Sequence, residues 1–388
     1  MRIVHIITRL IIGGAQENTI LSCRGLQARG HDVFLLSGPT LGPEGSLVGQ
    51  ARASPFAFEE IPSLRRQVSP IHDLRALRAL RRRLQELQPD VVHTHSSKAG
   101  VLGRIAAHQA GVPIIIHTIH GMSFNRTQSK LVRTAYAMAE RYCARRCHAI
   151  VSVAAAMTAQ ALAAGIGRAE QFETIRSGIV VEDFDPSRHN PREVRREWNM
   201  DDSAVVVGTV ARLFFNKGYE QLIDIIEQAV AQERNMRFVW VGDGAAREIY
   251  EAELRRRNLR EFVTMTGLLP PAQMPRVLAG IDLLAHTSQW EGLPRAVAQA
   301  LLMGKPAVSF AIDGAPEVVL PGRTGELAAL NDTRGFAAAL VGLARDPERR
   351  AEYGRTGRNL CLAEFDHRAM VDRLDELYRR LGGSGNRV

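Results

Sequence analysis

The sequence has no uninterrupted apolar run long enough to cross a bilayer, so any membrane contact is expected at the surface. Its four cysteines, Cys23, Cys143, Cys147 and Cys361, are too few for a disulfide framework in 388 residues and fit a reducing cytoplasm. There is no short-period repeat and no low-complexity segment. Residues 1–14 have an apolar flavour, but Arg2, His5 and Arg9 interrupt them and Gly13-Gly14 follows, which reads as a first strand and not an export signal.

What is present is the composition of a soluble globular protein, 45% hydrophobic and 23% charged. The length suits two domains of ordinary size. A formal net charge of +9 favours anionic partners, whether nucleotide phosphates, acidic lipid or nucleic acid, and the sign alone does not choose among them.

Short β-branched runs alternate with helical segments. Arg2 to Thr8, a helix from about Gln16 to Arg29 and His31 to Ser37 make a β-α-β unit, and further strands are expected at Val91 to His93, Ile114 to His117 and Ala149 to Val153. A second series opens with Ala204 to Val210, after the polar stretch Glu182 to Asn199. It continues at Phe238 to Val241, Phe262 to Thr266, Leu283 to Thr287 and Ala307 to Phe310. The expectation is an α/β protein of two Rossmann-like domains facing across a cleft, residues 1–190 and residues 200–366. A C-terminal helix in 367–388 is ended by Gly382-Gly383-Ser384-Gly385, with a loose tail. Ligands in such sheets bind beyond the carboxyl ends of strands, so chemistry is sought in the loops there.

Three loops stand out. Gly13-Gly14-Ala15-Gln16 joins a strand to a helix, where backbone N–H groups and the helix dipole suit phosphate or carboxylate; a tight turn with no ligand reads equally well. It lacks the G-x-G-x-x-G spacing, and the second strand ends in Ser37-Gly38 without the acid that holds a nicotinamide ribose, which argues against a dehydrogenase. Arg212 and Lys217 follow the opening strand of the second series and suit a diphosphate, or merely face solvent. The segment Ser288 to Gln299 is the most specific. Pro294 opens a helix, Glu291 precedes it beside the N–H groups of Gly292 and Leu293, and Gln299 lies about a turn and a half inside. A carboxylate beside such donors can bind sugar hydroxyls and phosphate together; a helix-start charge alone leaves Trp290 and Gly292 unexplained.

With Gly13-Gly14, His120-Gly121, Arg212, Lys217, Val241-Gly242-Asp243-Gly244 and the Glu291 segment in this order, nearly the whole chain resembles the family 4 retaining glycosyltransferases, which adopt the GT-B arrangement. The resemblance implies that Arg212 and Lys217 hold the donor diphosphate, with the Gly13-Gly14 loop closing over it. It implies that Glu291 and the N–H groups of Gly292, Leu293 and Pro294 hold the donor sugar, that His120 lies near the anomeric carbon, and that the C-terminal helix crosses back to the first domain. Gln299 departs from the pattern, which has glutamate there; its amide accepts one hydrogen bond but lacks the charge that strengthens bonds to ribose.

His93, His95, His117 and His120 cluster near two strand ends, but no carboxylate or cysteine joins them in sequence, so no metal is assigned. The segment after His95 suits the acceptor side. Cys143, Cys147 and His148 have too few ligands for a structural zinc and read as packing residues. Arg65, Arg66, Arg75, Arg78, Arg81, Arg82 and Arg83 flank the stripe Leu74, Leu77, Leu80, Leu84 and Leu87, which suits a helix docked on the first sheet; contact with anionic lipid is the alternative.

The expected activity is transfer of a hexose or N-acetylhexosamine, with retention, from a UDP-sugar in preference to a GDP-sugar. The acceptor is lipid-linked or a growing polysaccharide, as in cell-envelope or exopolysaccharide synthesis. No cofactor, metal or nucleic acid is expected, and the location is cytoplasmic or peripheral at the inner membrane face. The alternatives are an enzyme like UDP-N-acetylglucosamine 2-epimerase, or a non-catalytic nucleotide-sugar-binding subunit, which Gln299 would suit.

Overall fold

A computed structural model describes residues 1–42 and 44–383. The chain divides into two compact units, Met1–Gly178 with the helix His367–Gly383, and the span Ile179–Asp366.

Each unit is a parallel sheet between helices. In the first, β1 (Arg2–Ile7), β2 (Asp32–Ser37), β3 (Ala57–Glu60), β4 (Val91–His95), β5 (Ile114–Ile119), β6 (Ala149–Ser152) and β7 (Phe172–Thr174) lie in the order β3-β2-β1-β4-β5-β6-β7. In the second, β8 (Val205–Val210), β9 (Met236–Val241), β10 (Val263–Gly267), β11 (Leu283–His286), β12 (Ala307–Phe310) and β13 (Gly325–Ala328) lie in the order β10-β9-β8-β11-β12-β13. The central strands are buried on both faces, which is why they read as continuous apolar runs. In both units the order reverses beside the first strand, between β1 and β4 and between β8 and β11, and crevices for ligands form at such reversals.

The strands that sequence reading missed, β3, β7 and β13, are all sheet edges of three or four residues with half-exposed side chains, too short to show a period. The polar stretch 182–199 is not a spacer. The chain passes into the second unit at Ile179, whose N–H donates to Phe365 O, and residues 179–190 belong there and not with the first unit. The helix Pro191–Glu197 then packs on that unit, with Arg195 paired to Asp282 at 2.7 Å.

The helix His367–Gly383 returns to the first unit and buries Met370, Val371, Leu374, Leu377 and Tyr378 in its core, each contributing about 1.5–3 kcal/mol. Gly25 permits this contact, since a Cβ there would lie 2.5 Å from Val371. The helix runs through Gly382 and Gly383; the expected break at Ser384-Gly385 and the loose tail lie outside the described residues. No helix among the described residues is long and apolar enough to cross a membrane.

Candidate active site

In the second unit the loops after β8 and β11 are stitched together at the reversal point. Gly218 has φ 71°, and a Cβ there would lie 1.9 Å from Thr287 O, so only glycine lets the two loops touch. Thr287 Oγ1 donates to Lys217 O at 3.1 Å, and Gln289 N to Asn216 O at 3.1 Å. This contact brings Lys217 to Glu291, and the ammonium donates to the carboxylate. His286 Nε2 approaches the same carboxylate oxygen at 3.7 Å, and its other nitrogen lies 2.9 Å from Ser309 Oγ. Burial by itself would raise the Glu291 carboxyl, but Lys217 and His286 outweigh it and hold the group well below the usual carboxylate range.

The loop after β12 fixes the backbone of the same segment. Asp313, in a left-handed conformation at φ 46°, accepts from Glu291 N at 2.7 Å, and Gly314 N donates to Gly292 O at 3.0 Å. Leu293 and Pro294 are buried, Pro294 is the N-cap, and the helix runs Arg295–Leu302 with Gln299 half-buried in its second turn. Pro294 has no N–H, so the donor role expected of its backbone passes to its neighbours. Arg212 is half-buried, with its guanidinium carbon 5.1 Å from the Phe214 ring centroid. Its loop lies flat on the one after β9, where Cβ atoms on Gly242 and Gly244 would meet Ala211 O at 2.2 Å and Leu213 O at 2.4 Å. Glycine in Val241-Gly242-Asp243-Gly244 is therefore a packing requirement.

The first unit has a matching stitch at its own reversal. Thr8 Oγ1 lies 2.8 Å from Ser96 Oγ and accepts from Ala99 N at 3.0 Å, with Ser96 at φ 61°. Gly13, extended at φ 176°, is the N-cap of the helix Gly14–Ala28, and no side chain caps that helix. Its conformation does not demand glycine.

The histidines sort by strand face. His93 and His95 lie on one face of β4, where His95 Nδ1 is 3.0 Å from His120 Nε2. His117 lies on the other, against Thr94 at 2.9 Å and under Gly100 of the helix Ser97–Gln109, so it does not join the cluster proposed from sequence. Its place is taken by His5, whose Nδ1 is 2.9 Å from His95 Nε2. His5, missed from sequence because a lone histidine in an apolar strand carries no motif, is opposite His93 in the β1–β4 register. Cys143, Cys147 and His148 serve packing: both thiols are buried, and burial pushes Cys147 up to about 12.

Residues 13–178 match the family described as "Glycosyl transferase 4-like domain", and residues 191–360 match "Glycosyl transferases group 1". The chain belongs to the family 4 retaining glycosyltransferases. It is 28% identical to the UDP-Gal:alpha-D-GlcNAc-diphosphoundecaprenol alpha-1,3-galactosyltransferase of Escherichia coli, over 97% of this chain and 96% of that protein. Its fold is that of Anabaena HepE in complex with UDP-glucose, with TM-score 0.84 and 22% identity over 98% and 100% of the two chains. Sucrose-phosphate synthase of Thermosynechococcus elongatus gives TM-score 0.84 at 18% identity, over 99% and 100%.

This glycosyltransferase is a hexosyltransferase of GT-B type, and the epimerase reading is not favoured. Within the glycosyltransferase the strongest local feature is the linked set Lys217, Glu291, His286 and Asp313, drawn from the loops or ends of β8, β11 and β12. His286 and Asp313 were not found from sequence. A histidine ending an apolar strand and an aspartate in a turn gain meaning only once the β8-β11-β12 order is known.

Proposed function

We propose that the β8–β11 crevice holds the donor as a UDP-hexose or UDP-N-acetylhexosamine, and that the sugar passes with retention to a lipid-linked or polysaccharide acceptor. The observation that carries this is the Lys217–Glu291 pair at the reversal point. A cation and a carboxylate held side by side are what a sugar diphosphate needs, one for the phosphate and one for the hydroxyls. On this reading Arg212 and Lys217 bind the diphosphate, Glu291 with Gly292 and Leu293 holds the sugar, Gln299 the ribose, and Gly13-Gly14 and His120 act from the first unit. The leaving diphosphate takes the acceptor's proton while the cations stabilise its growing charge, without a metal. UDP is preferred because the relative matching nearly the whole chain is named for a UDP-sugar.

The acceptor reading draws on a cavity of about 460 Å³ in the first unit, lined among others by Arg9, Glu44, Arg65, Arg66 and His72. Glu44 is shared between Arg9 at 2.9 Å and the exposed Arg66 at 3.9 Å, so one carboxylate faces two guanidinium groups there, and the exposed Arg65 adds a third positive charge for an anion. Four apolar side chains stand exposed in the flanking segments, Leu41, Val68, Ile71 and Leu74. Leu74, expected in the core-facing stripe, is thus turned to solvent, and the buried stripe is Ala76, Leu80, Leu84 and Leu87. A basic cavity with an apolar border suits a lipid diphosphate at an anionic membrane surface.

Two experiments test this. Transfer from a panel of UDP- and GDP-sugars to a polyprenyl-diphosphate-linked N-acetylhexosamine should succeed with a UDP-sugar and give a product of unchanged anomeric configuration by NMR. An inverted product would sink the mechanism. Flotation should recover more protein with anionic than with neutral vesicles, and equal recovery would remove the membrane contact.

A further inference from the structure

Glu291 stands in a loop, where no helix or strand fixes its side chain, yet its two carboxylate oxygens have different surroundings. Lys217 donates to Oε1, and His286 Nε2 lies 3.7 Å from the same oxygen. Oε2 has no hydrogen-bond partner among the described residues, and the side chain stays partly exposed. The Lys217 ammonium ends a flexible four-carbon stem, so it supplies charge without a fixed direction. The imidazole differs, being a buried ring on the last residue of β11. In the β11–β12 register His286 is opposite Ser309, and its Nδ1 lies 2.9 Å from the fully buried Ser309 Oγ.

The hydroxyl proton decides what His286 shows to Glu291. Ser309 Oγ has one proton and two acceptors within reach, Phe310 O at 3.0 Å and His286 Nδ1 at 2.9 Å. Phe310 O already accepts from Ile312 N at 2.9 Å, so it does not need the hydroxyl. A neutral ring with its proton on Nδ1 would turn the Nε2 lone pair toward a carboxylate 3.7 Å away. With the hydroxyl proton given to Nδ1, Nε2–H faces Oε1 instead. At that distance the contact is electrostatic and not a hydrogen bond, but its sign is attractive. The three groups then run in one direction, from Ser309 to His286 to Glu291.

We propose that His286, oriented by Ser309, is a positioning residue that holds Glu291 Oε1 toward the protein and leaves Oε2 to meet a hydroxyl of the donor sugar. The proposal rests on the reading of Glu291 as the sugar-holding residue given above. On that reading UDP without a sugar makes no bond to Glu291, so the brace acts on the sugar and not on the nucleotide. Lys217 supplies the charge that keeps the carboxylate in place, and His286 supplies the direction.

The test uses the full-length chain with two probes, UDP and the UDP-hexose turned over fastest in the panel above. His286→Leu should lower kcat about 10-fold to 100-fold, as for a slightly misplaced substrate, while UDP affinity by calorimetry stays within about twofold. His286→Gln puts an amide N–H where Nε2–H stood and should stay within about threefold of wild type, a rescue that filling the space alone does not give. Ser309→Ala should lower kcat about 3-fold to 10-fold in the wild-type background and no further in His286→Leu, because Ser309 acts through the ring. Long-range 1H–15N spectra should place a proton on His286 Nε2. Unchanged kcat in His286→Leu, a loss of UDP affinity as large as the loss of kcat, full additivity in the double variant, or Nδ1–H alone overturns the proposal. Where His286→Leu does not fold, Ser309→Ala reads the same brace, and full turnover in it is equally fatal. Full turnover in Glu291→Gln would remove the sugar-holding reading itself, whereas a large loss there with full turnover in His286→Leu overturns this proposal alone.

Discussion

Lys217 and Glu291 are 74 residues apart in sequence, yet form an ion pair across adjacent strands at the point where strand order reverses. Their side chains are only 15% and 23% exposed, so the pair is substantially withdrawn from water and each charge depends on the other.

A pH signature follows. Glu291 titrates well below the usual carboxylate range, so its ionised form adds stability above the unfolded value, near pH 4, and that stability is lost as pH falls through the lower folded value. Without Lys217 the carboxyl loses the largest of the influences that lower it and keeps only that of His286 against burial. Lys217→Met should therefore cost about 3 kcal/mol at neutral pH. The deficit should shrink as the pH falls below about 4, where unfolded carboxylates protonate. Thermal unfolding of both proteins across that range checks this, and a constant difference would contradict it.

Two glycines give a controlled comparison. Gly218 and Gly304 have φ of 71° and 70°, but a Cβ at Gly218 would strike Thr287 O whereas nothing lies within 4 Å at Gly304. Gly304→Ala should cost about 1 kcal/mol, for the conformation alone. Gly218→Ala must also part the two loops; we expect a loss of about 3 kcal/mol or more, and kcat at least about 10-fold lower. Equal stability and turnover in the two variants would show that the loop contact is not required.

Tyr378 links the returning helix to the histidines. Tyr378→Phe leaves His93 Nδ1 buried without its hydroxyl partner, so unfolding should become easier by about 1–3 kcal/mol. Urea denaturation followed by a probe in the first unit measures it.

Gln299 invites a gain of affinity. A carboxylate accepts stronger hydrogen bonds from hydroxyls than an amide does, so Gln299→Glu should tighten UDP binding about tenfold by calorimetry. Weaker binding would mean that the ribose lies elsewhere.

Much of the fold is legible from composition runs, because the central strands are buried on both faces and their apolar stretches announce themselves. The edges β3, β7 and β13 escape notice for the opposite reason, being short and half wet. The candidate site is legible where a loop carries several unusual residues in a row, as from Trp290 to Pro294. It is illegible where meaning arises from strand order. His5 becomes part of a chain only because β1 pairs with β4, and Asp313 matters only because β12 lies beside β11. His117 misled because neighbours along a strand point to opposite faces.

The central claim is that the Lys217–Glu291 pair holds the donor sugar diphosphate during transfer. Its most direct test is turnover of Lys217→Ala with saturating UDP-sugar and acceptor. By analogy with sites that stabilise developing negative charge, kcat should fall about 10²-fold to 10³-fold. Full turnover in that variant would contradict the account.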